Sequence, residues 1–253
     1  MPTAILARLV LLEARRSALP WLAAASIALA LLLATFLSAV ALTEGRELRI
    51  AVVAALLRAC AVFLVAMQVA SSVQREIDDK GLEQMLSLPF PRAVQYLGRL
   101  AGFAVCAIGL AVLFALPLAP WAAAGPLALW AASLALECTL VAAAALFFSM
   151  SLAQLVGAIS ATLALYLLAR SMAAIQAIAA GPLATESLGG ELARWVVDAL
   201  AFLLPRLDAV TRTEWLLYGA PAASDYARAL GSLALYAVLV SAAGLFDFYR
   251  RAS

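Results

Sequence analysis

Apolar and polar positions in this chain separate on the scale of whole helices. Six stretches, residues 20–42, 50–73, 98–120, 126–148, 152–172 and 229–246, are apolar almost throughout. About 20 apolar residues in a helix cross the hydrocarbon of a bilayer, so each stretch predicts a spanning helix. Residues 1–19 mix apolar positions with Arg8, Glu13, Arg15 and Arg16 and predict an amphipathic helix ahead of the first span. Residues 74–97 (QREIDDKGLEQMLSLPFPRAVQYL) interrupt the pattern with Arg75, Glu76, Asp78, Asp79 and Lys80, yet Leu82, Met85 and Leu86 recur at helical spacing. They predict a short helix across the membrane surface, capped by Asp78 or Asp79 and ended by Pro89, with Pro91 opening the next helix. Its apolar side either docks into a soluble partner or rests on lipid or on the protein's own helix ends.

Residues 173–228 are too long for a plain connection. Within them residues 191–204 (ELARWVVDALAFLL) are apolar but short, and carry Glu191, Arg194 and Asp198. This predicts an interfacial or re-entrant helix sheltered by the bundle, punctuated by Gly189-Gly190 and Pro205. The expected fold is therefore all-α: one membrane domain over residues 1–253, six spans, an amphipathic start, a surface helix in 74–97 and a re-entrant piece in 173–228.

Composition strengthens this class. Of 253 residues, 66% are hydrophobic and 13% charged, and the mean hydropathy is +1.03, well beyond a soluble domain. The first apolar stretch is too long and too far from the start for a cleavable signal peptide. Basic residues set orientation. Arg8, Arg15 and Arg16, then Arg75, Lys80, Arg92 and Arg99, then Arg250 and Arg251 flank one side, while Arg46 and Arg49 share the other with Glu44 and Glu47. Both termini and residues 74–97 are expected in the cytoplasm.

Function classes narrow next. A net charge of +2 offers little to nucleic acid. Histidine is absent, which removes the commonest metal ligand and general base. Cys60, Cys106 and Cys138 sit in apolar stretches without CxxC spacing, so ordinary packing is expected and no metal site. No catalytic constellation stands out.

Two charges lie deep, Arg58 in the second span and Glu137 in the fourth, at comparable depth when counted along the helices. A lone charge there costs roughly 2.5–3.5 kcal/mol on insertion scales. The two are expected to meet, within a protomer or across a dimer, either as a bridge that locks helices or as a border of a substrate path. Arg170 is expected to snorkel to the headgroups. Gly109, Gly157 and Gly231 suggest close helix approach, and Trp121, Trp130, Trp195, Trp215 and Tyr218 an interfacial belt.

The run Asp79-Lys80-Gly81-Leu82-Glu83-Gln84-Met85-Leu86-Ser87-Leu88-Pro89 resembles the signature of type 2 ATP-binding-cassette (ABC) permeases, placed, as in that family, just after the second span. Six spans, an amphipathic start and an outward re-entrant piece between spans five and six match the family's architecture. The resemblance implies a homodimer or heterodimer of permease subunits that works with two copies of a separate ABC ATPase. It also implies a bacterial inner-membrane location. Gly81 would free the backbone to turn, Leu82, Met85 and Leu86 would fill a groove of the ATPase, Glu83 would anchor the helix and Pro89 would end it. Arg8, Glu13 and Arg15 would add contacts. ATP and magnesium would belong to the partner, because the chain lacks the G-x-x-x-x-G-K-[ST] phosphate loop; the chain itself is expected to be a transport subunit, not an enzyme, and to bind no cofactor.

Alternatives remain within and beyond that class. The haem-exporter permease of cytochrome c maturation has a similar Gly-Leu-Glu-Gln segment followed by Leu-Pro. A secondary transporter would show more spans, internal repeats or broken helices at mid-span. A membrane scaffold would use the surface helix to bind a partner that is not an ATPase. The substrate stays open.

Overall fold

The computed structural model describes residues 2–40, 45–79, 91–152, 154–179, 188–205, 207–210, 216 and 223–251. Among the described residues the chain is helical nearly throughout and forms no strand. The helices are α1 (Pro2–Arg16), α2 (Leu19–Val40), α3 (Gly45–Asp78), α4 (Arg92–Ala115), α5 (Ala124–Leu152), α6 (Leu155–Ala179), α7 (Leu188–Leu203), α8 (Leu207–Val210) and α9 (Ala223–Arg251). A single 3-10 turn, Leu116–Leu118, extends α4. Six helices, α2 to α6 and α9, are long and apolar enough to cross a membrane, as expected for an all-α membrane protein.

The observed spans outrun the apolar stretches. α3 begins among Arg46, Glu47 and Arg49 and continues through Gln74 to Asp78. Intrahelical bonding explains the extension: Asp79 N–H reaches Arg75 O at 2.9 Å, and Gln74 Nε2 donates to Asp78 Oδ1 at 2.9 Å. Asp78 is therefore the last residue of α3, and the helix that Asp78 or Asp79 was expected to cap lies outside the described residues. Pro91 ends up one residue before α4, where its carbonyl accepts from Val94 N–H at 2.9 Å. Residues 80–90 lie outside the described residues, and with them Gly81, Leu82, Glu83, Met85, Leu86 and Pro89.

α5 is the hub, packed by α3, α4, α6 and α9. Its Ala142 to Ala145 run is buried, and small side chains there let four neighbours approach at once. The α2–α3 contact uses the same device, with Ala23, Ala30 and Ala34 buried on α2. For reference, the end holding α1, the last turns of α3 and α9 and the start of α4 is here the proximal end.

α1 does not lie free. It packs on the first turns of α4 across Gly98 and Gly102. A Cβ at Gly102 would sit 2.7 Å from Val10 Cβ, and one at Gly98 3.0 Å from Leu6 Cβ. This small-xxx-small pair brings the two helices together. The glycines read from sequence behave otherwise: a Cβ at Gly109 or Gly231 would meet nothing within 4 Å, and at Gly157 only ordinary contacts to Leu152 and Gln154.

Gly244 on α9 makes the third close approach. A Cβ there would lie 2.2 Å from the hydroxyl oxygen of Tyr96, which is fully buried and has no hydrogen-bond partner among the described residues. Gly244→Ala is expected to destabilise the protein by about 1–3 kcal/mol through overpacking. Tyr96→Phe should raise stability, since it removes an unpaired buried hydroxyl, and should rescue Gly244→Ala. Thermal unfolding of the four proteins in one detergent checks the cycle; independent, additive effects would refute it.

Candidate functional site

Glu137, on the inner face of α5, is inaccessible to solvent, the most completely buried charged residue among those described. It needs partners, because a carboxylate in a low-dielectric interior is costly unless paired and hydrogen-bonded. Three are supplied. Arg58 of α3 donates from Nη1 to Glu137 Oε2. Tyr166 of α6 donates from its hydroxyl to Oε1 at 2.8 Å. Arg170, one turn further along α6, places Nη1 3.5 Å from the same Oε1 and 3.3 Å from the Tyr166 oxygen.

Helical spacing builds this arrangement. Trp130, Ser133 and Glu137 recur at three and four residues on one face of α5, and Tyr166 and Arg170 at four on α6. Ser133 Oγ donates to Trp130 O at 2.8 Å and accepts from Arg58 Nη2 at 3.2 Å. The guanidinium also lies over the Trp130 ring, 5.2 Å from its centroid, a favourable cation–π arrangement in a desolvated site. Arg58 is thus held on three sides and is 1% exposed.

Arg58 and Glu137 therefore meet within one chain. Two expectations are overturned. Instead of reaching outward, Arg170 turns inward to the Glu137 carboxylate and to the Tyr166 hydroxyl one turn away on α6, which accept its charge. Trp130 is 1% exposed and serves as the platform for Arg58, not as part of a belt. Trp121 is half-buried under Arg49, 5.7 Å from its ring centroid, while Trp195 is 73% exposed. Trp215 and Tyr218 lie outside the described residues. Tyr166, Ser133 and Arg170 were missed as cluster members, although their spacing was the signal.

A second polar cluster marks the proximal end. Arg99 of α4 and Glu76 of α3 pair at 2.7 Å, and Arg99 is buried. Glu13 of α1 accepts from Ser72 Oγ at 2.7 Å and lies 3.8 Å from Arg75 Nη2. Ser151 Oγ donates to Asp247 at 2.8 Å, tying α5 to α9. Glu13 thus bonds within its own bundle while its side chain stays partly exposed, and Arg8 and Arg15 are exposed. The pair Glu76–Arg99 ties the last turns of α3 to the first turns of α4.

The third feature is the turn between α7 and α8. Leu204, Pro205 and Leu207 line one cavity with Leu140, Val141 and Ala144 of α5 and Tyr236 and Val240 of α9, all near the middles of those long helices. Irregular backbone at that depth needs internal partners. Tyr236 supplies one, donating to Phe202 O at 2.7 Å, and Leu207 N–H reaches Pro205 O at 2.9 Å.

Cys60 and Cys106 are half-buried, Cys138 is buried, and all three are free. No group of metal-ligating side chains occurs among the described residues. No family model and no curated protein matches the chain. The resemblance carried by residues 79–89 consequently rests on those residues and their placement.

Proposed function

We propose that the chain is the transmembrane subunit of an ATP-driven exporter of the type 2 ABC class, working as a dimer with two copies of a separate ATPase. One observation carries the reading. The Gly-Leu-Glu run of residues 81–83 and its closing Pro89 fall between two spanning helices whose ends are clamped by Glu76 and Arg99, at the end where α1 also docks. In this reading that end faces the cytosol, and the α7–α8 turn is the apex of a re-entrant piece from the outer side.

The clamp gives the loop mechanical meaning. Force on residues 80–90 reaches α3 and α4 together, and α4 passes it to α1 through Gly98 and Gly102 and to α5 through their shared face. ATP drives the cycle by binding one arrangement of the ATPase pair more tightly than the other, which biases the spans between two packings. Leu82, Met85 and Leu86 would fill the ATPase groove, with Glu83 as anchor and Arg8 and Arg15 free to add contacts.

Affinity purification from cells co-expressing candidate ABC ATPases tests this, followed by an ATP-hydrolysis assay. An ATPase should co-purify. The Glu83→Ala/Leu86→Asp variant should bind it about 30-fold or more weakly, as for loss of an interface hot spot. Co-purification of no ATPase, or hydrolysis indifferent to the variant, would overturn the reading.

A further inference from the structure

The charge count around Glu137 is unbalanced. Among the described residues two guanidiniums, Arg58 and Arg170, face one carboxylate. Arg58 is enclosed and takes Oε2, so Arg170 shares only Oε1, already occupied by the Tyr166 hydroxyl. Its side chain remains 34% exposed. Arg170 lies nine residues before the end of α6 at Ala179, roughly 13 Å at about 1.5 Å per residue. Among the described residues no full counter-charge faces this partly accessible cation, which is the condition for attracting an anion out of the lipid.

Beside it lies a cavity of about 150 Å³, lined by Leu140, Val141, Tyr166, Leu204, Leu207 and Val240 among others. Tyr166 and Ala169 form its wall on α6, immediately before Arg170. The hydroxyls around it are all engaged: Tyr166 with Glu137, Thr162 with Ala158 O at 2.7 Å, and Tyr236 with Phe202 O. The rest of the lining is apolar, which suits a hydrocarbon group, and a space of this size accepts a group about as large as benzene. It has room for one chain end, not two.

We propose that Arg170 and this cavity form a binding site for a single-chain anionic amphiphile, the acid head on the free edge of the Arg170 guanidinium and the acyl end in the cavity. The order along α6 fits: Arg170 lies towards the distal end, and Thr162, Leu165 and Tyr166 line the cavity below it. A planar guanidinium suits carboxylate and phosphate heads alike. Binding rests on this geometry alone; that the amphiphile is the exporter's cargo rests on the proposed function.

The test uses the purified full chain in detergent, without any ATPase, so its failure is distinct from failure of the exporter reading. The probe is a C16 fatty acid with a photoreactive diazirine near its methyl end, compared with the matching alcohol. The acid should label the cavity-lining peptides of α5, α6 and the α7–α8 turn about tenfold more than the alcohol. Arg170→Gln should abolish that preference. Leu140→Trp or Ala144→Leu, which fill the cavity, should suppress labelling by both probes while thermal unfolding reports that the protein is folded. Equal labelling by acid and alcohol, an acid preference that survives Arg170→Gln, or labels confined to the lipid-facing sides of α2 and α9 would each overturn the proposal.

Discussion

Glu137→Leu is expected to be the most damaging single change in the bundle, costing about 3–5 kcal/mol of stability. The leucine fills the space, but Arg58 then keeps only Ser133 and the Trp130 ring, and Arg170 faces a second guanidinium with no carboxylate between them. Arg58→Met should cost less, because Glu137 retains Tyr166 and Arg170. Arg170→Gln should cost least, since its side chain is partly exposed and Glu137 keeps Arg58. The double variant Arg58→Met/Glu137→Met should recover most of the loss, because replacing a buried pair by apolar side chains is often neutral or better. Thermal unfolding followed by tryptophan fluorescence checks the order, and the double-mutant cycle gives the coupling. A Glu137→Leu protein as stable as Arg170→Gln would refute the account. The same double variant separates the two roles of the pair: normal assembly with normal transport would leave it a lock between α3 and α5, not a border of the path.

The sequence foretold some of this architecture and not the rest, for identifiable reasons. The six spans are legible because hydrocarbon thickness imposes an apolar run on each. Their ends are not, because a helix does not stop where lipid stops: α3 carries Arg46 at one end and Gln74 to Asp78 at the other inside one hydrogen-bonded cylinder. The meeting of Arg58 and Glu137 is legible by counting depth along two helices. The fate of Arg170 is not, since snorkelling and inward pairing are equally open to a long side chain until the Tyr166 hydroxyl is known to lie one turn away. Glycines mislead in the same manner. Gly98 and Gly102 stand four apart and meet α1, but Gly109 and Gly231 look no different in an apolar run, and a Cβ there would meet nothing within 4 Å among the described residues. Only the partner helix decides which of them a side chain would block.

Reversing the proximal clamp should have the next largest effect. Arg99→Glu sets a carboxylate against Glu76 at the junction of α3 and α4, where the native pair is 2.7 Å apart and Arg99 is 4% exposed. Like charges this close cannot both stay ionised and desolvated, and loss of a buried partner of this kind costs about 3–5 kcal/mol. Relief requires the ends of α3 and α4 to part, and the only chain joining them is residues 79–91. The expected result is a low yield of folded protein and faster proteolysis within that segment. The swap Glu76→Arg/Arg99→Glu should restore part of the stability, limited because the new glutamate at 99 would feel the carboxylate of Glu13 that now acts favourably on Arg99. Limited proteolysis and thermal unfolding of the wild type, both single variants and the swap measure this directly. If the swap is no better than Arg99→Glu alone, the two charges do not act as a clamp, and the path by which α3 and α4 would share a load from residues 80–90 is lost. If it recovers stability but binding of the proposed ATPase stays impaired, the clamp's polarity matters to that proposed partner, since the reversed pair presents an arginine from α3 and a glutamate from α4.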